Sequence, residues 1–327
     1  MPKSENQKLK LIYLMKIFLE KTDEEHTLTV NDLIGELERL DIAAERKTIY
    51  DDIDELRQYG LDIVRRKSKT FDYFVASKTF ELAELKLLVD AVQASKFITI
   101  KKSNELIKKL ESCASIYEAR QLQRHVFVSN RVKTMNESIY YNVDKLHTAI
   151  SEKKQISFKY FEYTIDKQKS FRKNGENYIT NPCALSWDDE NYYLITYNEK
   201  YKDLVHYRVD KMTNIEMTDT PAELPNSKEF DVADYAKKVF NMYGGEEQDV
   251  SLQFDNSLIG VVIDRFGKDV FVNKIDEQHF GIRLKIVVSP TFLAWLFQFG
   301  SQVKILSPIS LIDQIKAKAT EVLGQYE

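Results

Sequence analysis

Cysteine is scarce in this 327-residue chain: two residues, Cys113 and Cys183, stand far apart with no CxxC spacing. That excludes a disulfide framework and a thiolate metal site. The histidines (His26, His125, His147, His206 and His279) are scattered, so a histidine-rich zinc centre is not indicated either. No apolar run approaches the roughly 18 residues of a membrane span. The amino-terminal stretch MPKSENQKLKLIYLMKIFLEK alternates lysines with apolar residues at helical spacing and lacks a signal-peptide cleavage pattern. No membrane partner is expected, and the cytoplasm is the default compartment. Neither charge sign dominates. With 47 basic and 51 acidic side chains, the net charge is -4. This argues against a surface coated for nonspecific nucleic-acid binding and leaves room for a local basic patch. Internal repeats and low-complexity tracts are absent.

Catalytic signatures are missing too. No GxSxG elbow occurs. His206 with Ser157 or Ser186 and Asp210 nominally supplies a hydrolytic triad. No second histidine lies in that region, and Arg208 on the same strand face would depress the basicity of His206. An enzyme is not expected, and no cofactor is implied.

What is present is a 43% hydrophobic, 30% charged chain, too long for one ordinary core. Near the amino terminus Leu11, Met15 and Phe18 form a helical stripe that Ile12 and Leu19 widen. In TLTVNDLIGELERL, Thr29 and Asp32 predict a capping box before the stripe of Val30, Leu33, Ile34, Leu37 and Leu40. A third helix in AAERKTIYDDIDELRQYG buries Ile49, Ile53 and Leu56 and stops at Gly60. LDIVRRKSKTFDYFVA then reads as strand, basic turn, strand. This order is that of a winged helix-turn-helix. Arg46 and Lys47 stand on the amino-terminal turn of the third helix, the part that reaches base edges in a major groove, with Thr48 and Tyr50 beside them. Arg65, Arg66, Lys67 and Lys69 lie at the wing, suited to phosphates. The acids Asp51, Asp52, Asp54 and Glu55 oppose this reading, because each repels a nearby phosphate.

From Glu81 to Ser115 the pattern is helical, and Leu82, Leu85 and Val89, joined by Leu88 and Val92, give an amphipathic face suited to a partner chain. NVDKLHTAISEKK reads as a short helix, and QISFKYFEYT opens a strand-rich region reaching about Thr218. DTPAELPNSKEF, with two prolines, is a linker. A last α+β block follows, in which Leu293, Leu296 and Phe297 form a helical stripe. Within NYYLITYNEKYKDLVHYRVDKM, period-2 alternation puts Val205, Tyr207 and Val209 on one face and His206, Arg208 and Asp210 on the other. The first face is a core; Tyr160, in phase with Ile156 and Phe158, also suits packing. An unpaired buried guanidinium is costly, so Arg208 meets either Asp210 or an anionic ligand. In the ligand reading Arg208 pairs with phosphate or carboxylate, His206 donates a hydrogen bond, and Tyr193 stacks or donates its hydroxyl.

ERKTIYDDIDELRQYGLDI, Tyr73 of the wing and NPCALSWDDENYYLITY…HYRVDKM together resemble a WYL-domain transcriptional regulator. The name-giving Trp-Tyr-Leu is Tyr192-Tyr193-Leu194 here, and many relatives carry arginine where this chain has Asp51. The resemblance implies a multidomain α+β protein. Residues 1–77 form a winged helix-turn-helix and 78–140 a helical linker or dimerisation region. A WYL domain, a small Sm-like β-barrel for ligand sensing, follows at 141–220, a linker at 221–247, and a small α+β, ferredoxin-like WCX domain at 248–327. It implies a homodimer on a double-stranded DNA operator, responding to a small anionic or nucleic-acid-derived effector near Tyr160, Tyr193, His206 and Arg208. An alternative reading is an RNA or single-strand binder using the barrel, with Lys159 to Lys173 as its basic and aromatic surface.

Overall fold

The computed structural model describes residues 9–67, 69–122, 133–134, 136–198, 203–225, 235, 238–240 and 242–326. Much of the expected proline-bearing linker, from residue 226 onward, lies outside them. The chain divides into two units, Met1–Glu137 and Ser138–Glu327.

The first unit opens with α1 (Lys10–Lys21), β1 (Leu28–Thr29), α2 (Val30–Glu38), α3 (Arg46–Tyr59), β2 (Asp62–Lys67) and β3 (Phe71–Ser77). The strands make a sheet of order β1-β3-β2. Thr29 and Asp32 form the expected capping box, and α3 ends on Gly60 at φ 114°, a left-handed conformation that glycine adopts without strain. Leu33, Leu37, Ile49, Ile53 and Leu56 pack in one core with Tyr73 and Val75. The buried face of α1 is rotated from the expected stripe: Leu14, Ile17 and Phe18 are buried, Leu11 and Met15 half-buried, and Ile12 and Leu19 exposed. Eight of the residues from Leu9 to Leu19 are apolar, so the helix offers more than one apolar arc, and packing selects among them.

Then come α4 (Leu82–Ala94), α5 (Ile100–Glu111) and α6 (Ile116–Leu122). Leu85 and Val89 bury against Ala114 and Leu122 of the same chain. The face expected for a partner is therefore largely satisfied internally, leaving Leu87 and Leu88 exposed.

The second unit begins with α7 (Ile139–Ser151), followed by β4 (Lys154–Tyr163), β5 (Lys169–Phe171), β6 (Tyr178–Asp188), β7 (Asn191–Asn198), β8 (Asp203–Arg208) and β9 (Met212–Pro221). The strands run β5-β4-β6-β7-β8, with β9 returning to pair with β4, which curls the sheet on itself. The carboxy-terminal part contains β10 (Glu246–Asp255), α8 (Ile259–Phe266), β11 (Val272–Lys274), β12 (His279–Val288), α9 (Pro290–Phe297), β13 (Val303–Ser307) and α10 (Ile309–Leu323). This β-α-β-β-α-β sequence has strand order β11-β12-β10-β13, every neighbour antiparallel. On α9 Phe292, Leu293 and Leu296 are buried, whereas Phe297, expected in the stripe, is exposed. Among the described residues no helix is long and apolar enough to cross a membrane.

Candidate functional site

In the first unit, the buried stripe of α3 turns Arg46, Lys47 and Tyr50 outward, and Thr48 is half-exposed. Arg46 donates through Nε to the Tyr50 hydroxyl at 3.2 Å, which fixes both on one helix face one turn apart. The Thr48 hydroxyl donates to the Glu45 carbonyl at 2.8 Å, in the turn where α3 begins. The acid run is partly neutralised. Asp52 pairs with Lys10 of α1 at 2.7 Å and Asp54 with Arg57 at 3.0 Å. Asp51 and Glu55 are exposed.

Strand parity divides the basic wing. Arg65 stacks on Phe71 with 4.5 Å from guanidinium carbon to ring centroid. Arg66 is drawn the other way, donating to the Glu24 carbonyl at 2.9 Å and lying over Phe74. Lys67 and Lys69 are exposed near the hairpin tip. Four sequence neighbours thus become one structural arginine, one stacked arginine and two displayed lysines.

In the second unit, antiparallel register sets Tyr193 opposite Arg208 and Ile195 opposite His206. Tyr193, His206 and Arg208 therefore share a face. Tyr160 belongs mainly to the other: its ring packs with Phe158, Tyr178 and Tyr207, although its hydroxyl accepts the Arg208 backbone N–H at 3.3 Å. Burial raises the Tyr160 phenol above its usual range and pushes that of Tyr207 up to about 12.

After β8 the backbone makes a short 3-10 turn over Val209–Lys211, which folds Asp210 back onto Arg208. The guanidinium donates through Nε and Nη2 to the two carboxylate oxygens at 3.0 and 2.9 Å, and Nη2 also donates to Asn191 Oδ1 at 2.9 Å. The Asp210 hydrogen bonds raise the Arg208 pKa. Of the two alternatives read from the sequence, the resident carboxylate is the one realised. The arginine side chain keeps 36% of its exposure.

His206 is held below its ordinary pKa by burial, not by Arg208, and its Nε2 lies 3.0 Å from the Tyr235 hydroxyl. Tyr193 packs with Val239, Met242 and Val287; burial raises its pKa, as do Asp188, Asp189 and Asp210, while Arg208 opposes them. Asp188, at the end of β6, is raised by burial, and Arg265 of α8 is lowered by burial. Asn191 lies in phase with Tyr193 and was readable as its neighbour, and the β6–β7 register brings Asp188 to the same face opposite Asn191. Tyr235 and Arg265 come from distant segments and carried no local signal. No group of three or more metal-ligating side chains occurs among the described residues.

These features define a multidomain α+β protein with a helix-and-hairpin unit that displays basic residues at the start of α3 and on the hairpin, and a polar tyrosine–histidine–arginine face on a curled antiparallel sheet. Residues 141–217 match the WYL domain and residues 246–323 the WCX domain. The chain carries a WYL domain and a WCX domain at these positions, and the resemblance read from the sequence is borne out over these segments. No curated protein matches it. Among solved structures it is similar to proteasome accessory factor B/C (PafBC) of Arthrobacter aurescens, at 15% identity and a TM-score of 0.28, with 100% of this chain and 50% of that one covered. The chain thus spans half the length of that solved protein.

Proposed function

We propose that the chain is a DNA-binding transcription regulator that acts as a homodimer. In this reading α2 and α3 form a helix-turn-helix, and β2 with β3 forms its wing. The observation that carries the reading is the amino-terminal turn of α3. It displays Arg46 and Lys47 above a fully buried Ile49 and Ile53, ahead of a WYL domain and a WCX domain. Arg46 pairs with a base edge, and its bond to Tyr50 orients it beforehand. Lys67, Lys69 and Arg65 meet phosphates. The pairing of Asp52 and Asp54 removes part of the electrostatic objection to a phosphate nearby. Selection of bound duplexes from a random library tests the assignment. Enrichment of a two-half-site motif supports it, and no enrichment rejects it.

The curled sheet is the effector domain, and Tyr193, His206 and Arg208 are its ligand face, with Tyr160 supporting Arg208 from the opposite side. An anionic, nucleic-acid-derived effector takes Arg208 by exchange: it meets the exposed part of the guanidinium first and then displaces Asp210. Resident and incoming anions thus compete for one guanidinium, which gives two discrete arrangements for a ligand to bias.

A second reading draws on the cation–aromatic pairs around β4, where Arg172 lies over Tyr160, Lys173 over Tyr178 and Lys169 over Phe161, at 5.6, 4.1 and 4.4 Å. Such cation–aromatic pairs suit a single-stranded nucleic acid. Competition between duplex and single strand for the labelled protein separates the two.

A further inference from the structure

Among the described residues of the first unit, two hydrophobic cores can be distinguished. One joins α1, α2, α3 and the β1-β3-β2 sheet; the other joins α4, α5 and α6 through Leu85, Val89, Ala114 and Leu122. A polar network connects them. Asp23, in the turn after α1, accepts from the backbone N–H of Glu25 and His26 at 3.0 and 2.8 Å and contacts His26 Nδ1 at 2.8 Å. Its other oxygen accepts the Ser115 hydroxyl at 2.5 Å. Ser115 begins α6 in a reciprocal capping arrangement with Glu118, each bond 3.0 Å. Glu118 also pairs with Lys78, just beyond β3, at 2.9 Å. The His26 ring stacks flat on Tyr117 of α6, centroids 3.7 Å apart.

Beside this network opens a cavity of about 430 Å³ lined by residues that include His26, Lys78, Glu81 and Glu118. Apolar packing therefore does not back the joint on that side. Directional bonds and the His26–Tyr117 stack tie the two parts together there. Ser115 and Asp23 are buried, so the closed form excludes water from their bond and holds one geometry.

We propose that this network is a latch that fixes the DNA-reading part to the helical part, and that its closure sets the spacing at which two copies engage two half-sites. The proposal rests on the DNA-binding reading above. Ser115, Asp23, His26 and Tyr117 are positioning residues that touch no DNA.

The test uses the full chain and the duplex selected from a random library. Ser115→Ala and, separately, Tyr117→Leu are compared with wild type, and Ser115→Thr serves as the variant that keeps the hydroxyl. In both weakened variants, exchange of the amides of Ile116–Leu122 accelerates by about tenfold or more while those of Arg46–Tyr59 stay within about twofold. Affinity for a single half-site stays within about twofold, and preference among half-site spacings flattens by about fivefold or more. Ser115→Thr restores both. Unchanged exchange in both weakened variants overturns the latch, as does faster exchange with spacing preference intact. A wild-type protein that selects no duplex instead refutes the DNA reading, and the exchange measurement then decides alone whether the two parts are latched.

Discussion

Replacing Asp210 by Asn isolates the exchange proposed at Arg208. The substitution keeps the side chain's shape and one acceptor oxygen but removes the charge that receives Nε and Nη2. The pair is partly exposed, at 36% and 21% for the two side chains, so solvent screening reduces its worth to about 1 kcal/mol. An incoming anion must displace this interaction. Deleting it therefore tightens anion binding by about fivefold at most, since about 1.4 kcal/mol corresponds to one decade. Arg208→Ala abolishes the same binding. Isothermal titration with inorganic phosphate and a set of 5′-phosphorylated mononucleotides and dinucleotides reads both variants. Unchanged or weakened anion binding in Asp210→Asn refutes competition for the guanidinium, and unchanged binding in Arg208→Ala refutes Arg208 as the anion's partner.

Three further outcomes follow from the same geometry. Arg46→Ala weakens specific duplex binding by about 1–3 kcal/mol and relaxes one base position, as read by anisotropy across an operator library. Lys67→Ala weakens all duplexes alike and lowers the salt dependence of binding by about one unit of slope. His206 is kept below its ordinary value of 6.5 by burial. The unfolded chain therefore binds the proton first, and stability falls as pH drops from above 6.5 toward the lower folded value. Thermal melts across that window show this loss in the wild type and a flatter profile in His206→Gln.

Much of the first unit could be read from its sequence because local signals coincide with packing. Thr29 and Asp32 cap α2, Gly60 ends α3, and Ile49, Ile53 and Leu56 recur at helical spacing and are buried together. On α1 the apolar residues cover too wide an arc for periodicity to locate its centre. The partner of Asp52 is Lys10, in another helix, so the acid run looked uniformly hostile to DNA when half of it is paired. On the hairpin, alternation along β2 separates Arg65 from Arg66, which composition alone had grouped.

At the effector face, period-2 alternation correctly joined His206 and Arg208, and antiparallel register added Tyr193. Asp210 and a ligand were visible as alternative partners of Arg208; what the sequence did not show is the 3-10 turn that delivers the carboxylate. Tyr160 reaches this face only through its hydroxyl, because the curled sheet turns its ring toward Tyr207. Tyr235 and Arg265 lie 29 and 57 residues beyond His206 and Arg208 in the chain, out of reach of any local pattern.

Sequencing the duplexes retained from a random library by wild-type protein and by Arg46→Ala tests the account most directly. A paired-half-site motif that loses information at one base position per half-site in the variant is the predicted result. Identical motifs from both proteins, or no motif from the wild type, contradict it.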